Sequence, residues 1–269
     1  MTYTVNCSIL LTELPLLERP AAARAAGFDA VEFWWPFAES VPSDRDVDAF
    51  VAAVRDAGVQ LTGLNFNAGD MPGGDRGLVS WPARSREFRD NLAVVAGIGD
   101  ALGCRAFNAL YGNRIDGVSA EVHDGVAVEN LAAAAEAVAV IGGTVLLEPV
   151  SGAPRYPLRT AADVLEVIDS VREASGVRNV KLLADFYHLA VNGDDVAAVI
   201  EAHAADFGHI QIADDPGRGA PGTGDLPLDD WIARSHELGY SGAIGLEYKA
   251  PIASAFDWLA SAPAAEAAR

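Results

Sequence analysis

Eight times along the chain, a short apolar run rich in Val, Ile and Leu gives way to a longer Ala-rich stretch with helical periodicity. This alternation is the tightest constraint on the fold, because successive parallel strands need a long crossover between them, and a helix is the usual one. The strand-like runs fall at residues 4–9, 30–34, 60–66, 104–110, 144–150, 180–186, 208–213 and 243–248. Helices are expected at 16–26, 47–57, 83–102, 121–141, 161–174, 196–204, 228–238 and 253–259. Gly27, Gly58, Gly103 and Gly239 stand where four of these helices should end in a left-handed residue. Thr160 reads as an N-cap, and Pro82 suits a first helical turn, where its missing N–H costs little.

Eight such units predict an α/β chain folded as a closed (β/α)8 TIM barrel, a single domain over residues 1–269. The strands are apolar on both faces, as parallel strands covered on both sides are. An open doubly wound sheet is the competitor, and the lack of Gly-x-Gly-x-x-Gly after the first run speaks against its dinucleotide-binding form. No linker or shift in composition divides the chain. With 51% apolar residues there is material for one large core.

The 38 acidic residues outnumber 19 basic ones, for a formal charge of −19. Such a surface repels nucleic acid and anionic membranes, so neither is an expected partner. No apolar run reaches the roughly 18 residues of a membrane span, and no basic leader precedes an apolar one, so a cytoplasmic location is expected. Cys7 and Cys104 make no disulfide framework and read as core residues within strands.

In such barrels the chemistry sits at the C-terminal strand ends. The last four runs each carry one oxygen-bearing side chain late in an apolar sequence: Glu148, Asp185, Gln211 and Glu247, spaced 37, 26 and 36 residues apart. Each interval is close to one strand–helix unit, so four neighbouring strands point these groups into one mouth. Crowded carboxylates repel one another and resist desolvation. A divalent cation relieves both costs, and an all-oxygen set suits Mg2+ or Mn2+ better than Zn2+. Glu148, Asp185, Gln211 and Glu247 are therefore the expected metal ligands.

Two Glu residues facing each other across such a site suit proton transfer between adjacent carbons through a cis-enediolate. Aldose–ketose isomerisation and epimerisation beside a ketone both follow this route, and the residue inventory leaves both open. His188, where the strand is expected to give way to a loop, and Arg218, in the loop after the seventh strand, are the expected substrate-binding groups. Trp34-Trp35-Pro36-Phe37 is expected to wall or cover the mouth, and the Gly-rich loop with Asp70, Asp75 and Arg76 to act as a lid. Pro221-Gly222-Thr223-Gly224-Asp225 lacks the ending of a phosphate-binding loop and reads as a turn. His123, His203 and His236 fall on helices and are expected at the surface.

Longer stretches carry a family likeness. Asn6-Cys7-Ser8-Ile9-Leu10-Leu11-Thr12-Glu13, Ala25-Ala26-Gly27-Phe28-Asp29-Ala30-Val31-Glu32-Phe33 and Gly74-Asp75-Arg76-Gly77 are three of them. Leu147-Glu148-Pro149, Asp185-Phe186-Tyr187-His188, His209-Ile210-Gln211-Ile212-Ala213 and Gly245-Leu246-Glu247-Tyr248 complete the pattern. Together they resemble the hydroxypyruvate isomerase family, within the xylose isomerase-like barrels. The resemblance implies that Glu148 and Glu247 are the proton donor and acceptor, and that Asp185 and Gln211 complete a metal-binding quartet. It implies a small-molecule sugar acid or sugar as substrate, with hydroxypyruvate converted to 2-hydroxy-3-oxopropanoate. The alternatives are an isomerase or 3-epimerase of a longer ketose or oxo-sugar acid, and a barrel that binds sugars without turnover. An exposed barrel rim is compatible with a homodimer or tetramer. The loops at 150–157 and 218–221 depart from the family's usual sequence, so any substrate preference of this chain's own is expected there.

Overall fold

The computed structural model describes residues 2–260. Eight parallel strands close into one barrel in chain order, β1 (Tyr3–Asn6), β2 (Ala30–Phe33), β3 (Gln60–Asn65), β4 (Ala106–Asn108), β5 (Thr144–Leu147), β6 (Val180–Asp185), β7 (His209–Ile212) and β8 (Ile244–Leu246). The closing pair is β1 on β8, with Thr4 opposite Gly245. All eight predicted strands are present, each trimmed at one end or both; past the last ladder bond the chain leaves the barrel for a loop or, after β6, for a helix.

The outer layer is α1 (Arg19–Ala25), α2 (Asp44–Ala57), α3 (Ser85–Leu102), α4 (Ala120–Ala139), α5 (Ala161–Ser175), α6 (Phe186–Asn192), α7 (Val196–His203) and α8 (Leu228–Glu237). The four glycines expected to end helices all have positive φ: 96° at Gly27, 68° at Gly58, 71° at Gly103 and 108° at Gly239. Thr160 caps α5 in a reciprocal capping box with Asp163, satisfying two otherwise orphaned backbone donors.

Two helix assignments need correction. The helix expected at 253–259 is two short 3-10 turns, Ile252–Ser254 and Asp257–Ala260. Its aromatic anchors are two residues apart, Phe256 against Phe28 and Trp258 against Tyr3 and Tyr248. An α-helix would aim such a pair in nearly opposite directions. The second correction is α6, which follows β6 without a loop, so His188 lies on a helix.

Cys7 and Cys104 are fully buried thiols, each just outside a strand rather than in one. His123 is also fully buried, against the surface expectation, with its Nε2 accepting from the Ile115 amide at 3.2 Å. His203 and His236 are half-buried. No helix among the described residues is long and apolar enough to cross a membrane.

Candidate active site

At the C-terminal mouth of the barrel lies a cavity of about 940 Å³. Glu148, His188, Arg218 and Glu247 line it, as do Trp34, Trp35 and Phe37 on one side and Ser151 and Arg76 on others. Asp185 and Gln211 sit deeper, 1% and 4% exposed, paired in register across β6 and β7.

Glu247 follows β8 directly. Its Oε1 accepts from Asn6 Nδ2 at 2.9 Å and from Trp34 Nε1 at 2.7 Å, and its Oε2 is closed on by the Arg218 guanidinium. Burial raises its pKa to about 7, an upward push that Arg218 opposes and that Asp185 and Glu32 reinforce. Glu148 follows β5, and its Oε1 accepts from Asn108 Nδ2 at 2.8 Å. Burial, then the charges of Glu247 and Asp185, hold its carboxyl well above the ordinary range. The backbone here is fixed by Tyr156, whose hydroxyl donates to the Glu148 carbonyl and accepts from the Tyr111 amide, both at 3.1 Å.

Asp185 ends β6 and caps α6, with Oδ1 accepting from the His188 amide at 3.1 Å. Burial raises its pKa, although Arg218 pulls the other way. His188 is turned by the helix so that Nδ1 accepts from the Ser151 amide at 3.0 Å, with Ser151 Oγ 2.7 Å from the same nitrogen. That leaves the ring proton on Nε2, which lies 3.6 Å from Asp185 Oδ2. Desolvation, with the Arg218 and Arg76 charges, takes the His188 pKa down to about 3, so the ring is a neutral Nε2–H donor at physiological pH.

Arg218, expected to meet substrate, is engaged with protein carboxylates: it contacts Glu247, lies 3.5 Å from Asp185 Oδ2, and donates from Nε to the Glu247 carbonyl at 3.0 Å. It adopts a left-handed φ of 57° and stacks over Tyr187. A non-glycine residue held in that region needs support from its surroundings. Buried Asp214 provides it by accepting from the amides of Asp215, Gly222, Gly224 and Leu226. The turn at 221–225 therefore shapes the segment that carries Arg218.

Beneath these groups lies a polar floor that sequence reasoning missed. Glu32, 2% exposed, accepts from Gln211 Nε2 at 2.7 Å and Asn6 Nδ2 at 3.1 Å, and lies 2.7 Å from His209 Nε2. Room for it comes from two strand glycines. A Cβ on Gly63 would stand 3.2 Å from Glu32 Cβ; one on Gly245 would stand 2.8 Å from Glu32 Oε1 and 2.7 Å from Gln211 Cγ. The available signal was a Glu inside Val31-Glu32-Phe33, of the same kind that revealed the other four.

The arrangement fits a cation. Asp185 Oδ2 and Gln211 Oε1 are buried oxygens without a hydrogen-bond partner among the described residues. Asp185 and Glu247 bring carboxylate oxygens within 4.8 Å of each other, with His188 beside them as an Nε2–H donor and not a ligand. Glu148 Oε1 is held on Asn108. Arg218 already places one positive charge beside Asp185 and Glu247.

Comparisons with known proteins agree with the architecture. A family model described as "Xylose isomerase-like TIM barrel" matches residues 20–266. The "Putative hydroxypyruvate isomerase" of Streptomyces coelicolor is 54% identical over 264 residues, covering 96% of this chain and 95% of that protein. The "Hydroxypyruvate isomerase" of Escherichia coli is 32% identical over 251 residues, 93% of each. A Brucella melitensis structure described as "AP endonuclease, family 2" superposes with a TM-score of 0.86 at 29% identity, covering 97% of this chain and 98% of that one.

Proposed function

Because the chain belongs to the hydroxypyruvate isomerase family of xylose isomerase-like TIM barrels, we propose that it interconverts hydroxypyruvate and 2-hydroxy-3-oxopropanoate through an enediolate. The observation that carries this reading is the pair Glu148 and Glu247. They are two buried carboxyls reaching one cavity from strands three apart, both with pKa values raised above the ordinary range. A barrel that only bound sugars would gain nothing from two such costly groups. A formal charge of −19 argues against the endonuclease activity in the name of the Brucella protein.

Differing environments divide the roles. Arg218 favours the ionised form of Glu247, which takes the proton from C3 of hydroxypyruvate. Glu148, whose carboxyl is held well above the ordinary range by burial and by the charges of Glu247 and Asp185, delivers its proton to C2. The proton of the C3 hydroxyl passes to the C2 oxygen, which leaves an aldehyde at C3 and a hydroxyl at C2. His188 Nε2–H donates to a substrate oxygen, and Arg218 sets positive charge where the enediolate becomes negative. Mg2+ or Mn2+ held by Asp185, Gln211 and Glu247 would supply polarisation of the carbonyl, leaving Glu148, which the sequence pattern also offered as a ligand, to carry its proton. We place the protein in the cytoplasm, acting on a free small molecule.

The cavity volume favours a second reading, a longer 2-oxo acid or ketose, since about 940 Å³ exceeds what a three-carbon acid fills. Proton NMR in deuterium oxide separates the two. A panel of 2-oxo acids and ketoses, with and without Mn2+, should show deuterium entering hydroxypyruvate fastest. Faster exchange into a longer compound selects the second reading. The enediolate route fails if no compound exchanges, or if Glu148→Gln exchanges as fast as the parent.

A further inference from the structure

We propose that Arg76, on the loop between β3 and α3, binds the substrate's carboxylate and thereby separates acids from neutral sugars. This rests on the isomerase reading above. Four guanidinium groups border the cavity: Arg19, Arg76, Arg84 and Arg218. Three of them are committed within the protein. Arg218 faces Glu247 and Asp185, while Arg84 pairs with Asp75 at 2.8 Å and Glu87 at 2.7 Å. Arg19 donates from Nε and both terminal nitrogens to the carbonyls of Leu14, Cys7 and Thr12.

Arg76 differs. Its one bonding atom is Nη1, which donates to the Met71 carbonyl at 3.0 Å and the Asp75 carbonyl at 2.6 Å. Among the described residues no carboxylate lies within 4.0 Å of it. In a chain with twice as many acidic as basic residues, a half-buried guanidinium facing a cavity without an acid is a conspicuous exception.

The loop holds this group in place. Asp70 and Asp75 tie its tip together through Asp75 N to the Asp70 carbonyl at 2.9 Å and Asp70 N to Asp75 Oδ2 at 2.8 Å. The next residue, Gly77, bridges to Tyr111 and donates to the Ala68 carbonyl. At φ 111° it packs so tightly that a Cβ would sit 1.9 Å from the Leu110 carbonyl oxygen. Arg76 is thus fixed between two anchored residues rather than carried on a free lid. Its Nε and Nη2 remain for ligand, in the fork that matches a carboxylate. A neutral ketose offers no anion, and covering the guanidinium without one is costly.

The test compares the parent protein with Arg76→Ala and Arg76→Lys. It measures kcat and KM for hydroxypyruvate, and the Kd of glycerate by calorimetry. For Arg76→Ala, KM and the glycerate Kd should rise together by about 10- to 100-fold, with kcat changed by no more than about threefold. Lysine should recover part of the loss, and it supplies a folded comparison should the alanine variant unfold. Unchanged KM and Kd in either variant overturn the proposal while leaving the isomerase reading intact. Arg76-dependent glycerate binding without hydroxypyruvate turnover does the reverse. A parent protein that neither binds glycerate nor turns over hydroxypyruvate sinks both.

Discussion

Gln211 turns its amide nitrogen onto Glu32 Oε1 at 2.7 Å, so its amide oxygen is the end left facing the site. Glutamine offers a donor at one end and an acceptor at the other, and only its partners decide which way it points. Here the decision is made below the site, by a carboxylate that is not among the residues lining the cavity.

Glu32→Gln tests that arrangement at constant size. The new side chain sets an amide where an acceptor stood, against Asn6, His209 and Gln211 together. Stability to urea should fall by about 1–3 kcal/mol, the cost of leaving buried donors unpaired. Mn2+ affinity, read by electron paramagnetic resonance, should fall about 10- to 100-fold as Gln211 loses its orientation. Unaltered Mn2+ binding would show that Gln211 is not held this way.

Glu148→Gln should trade activity for stability. Loss of a positioned proton donor lowers kcat by about 10²- to 10⁴-fold. The folded carboxyl titrates well above 4.5, so between 4.5 and that raised value the folded state keeps a proton that the unfolded chain has released. Its contribution is full at low pH and is lost as pH rises through this window. Glutamine keeps the acceptor for Asn108 and has no charge to lose. The melting temperature of the variant should therefore exceed the parent's at pH 8, by about 2–4 °C for each kcal/mol regained, and the gap should close towards pH 4.

Arg218→Ala should shift the pH–rate profile. With Glu247 at about 7, kcat/KM in metal-free buffer should fall as pH drops through about 7, where the base becomes protonated. Arg218 opposes the upward push on Glu247, so its removal should move this limb to higher pH. Added Mn2+ should move the parent's limb to lower pH. A limb that stays in place in the variant would remove Glu247 from the role of base.

Tyr156→Phe probes the support behind Glu148. The hydroxyl serves one buried carbonyl and one buried amide, and phenylalanine leaves both without a partner. Denaturant melts should show a loss of about 1–3 kcal/mol. The kcat should fall by less than it does in Glu148→Gln, because the carboxyl remains.

The eight strands were legible because parallel barrel strands are buried on both faces, and unbroken apolar runs stand out wherever their ends fall. The four oxygen-bearing side chains were legible for the complementary reason, as polar exceptions at a regular spacing. α6 was hidden because it is short and begins where β6 stops, with Asp185 serving both elements. His188 was consequently assigned to a loop, and Ser151, which fixes its tautomer, lies in a segment without periodicity. Asn6 and Asn108 carry no charge to set them apart from ordinary strand-end polar residues. His123 was misplaced because α4 is Ala- and Val-rich nearly all round, with no polar face by which to orient it.

Gly245 has a practical consequence. Filling glycines in regular structure is a common route to heat-resistant variants, and residue 245, in the middle of a strand, invites valine on intrinsic preference. In this barrel the gap is already taken, since a methyl group there would stand 2.7 Å from Gln211 Cγ and 2.8 Å from Glu32 Oε1. A thermostabilising library for this protein should hold position 245 constant and draw its diversity from the outer helices.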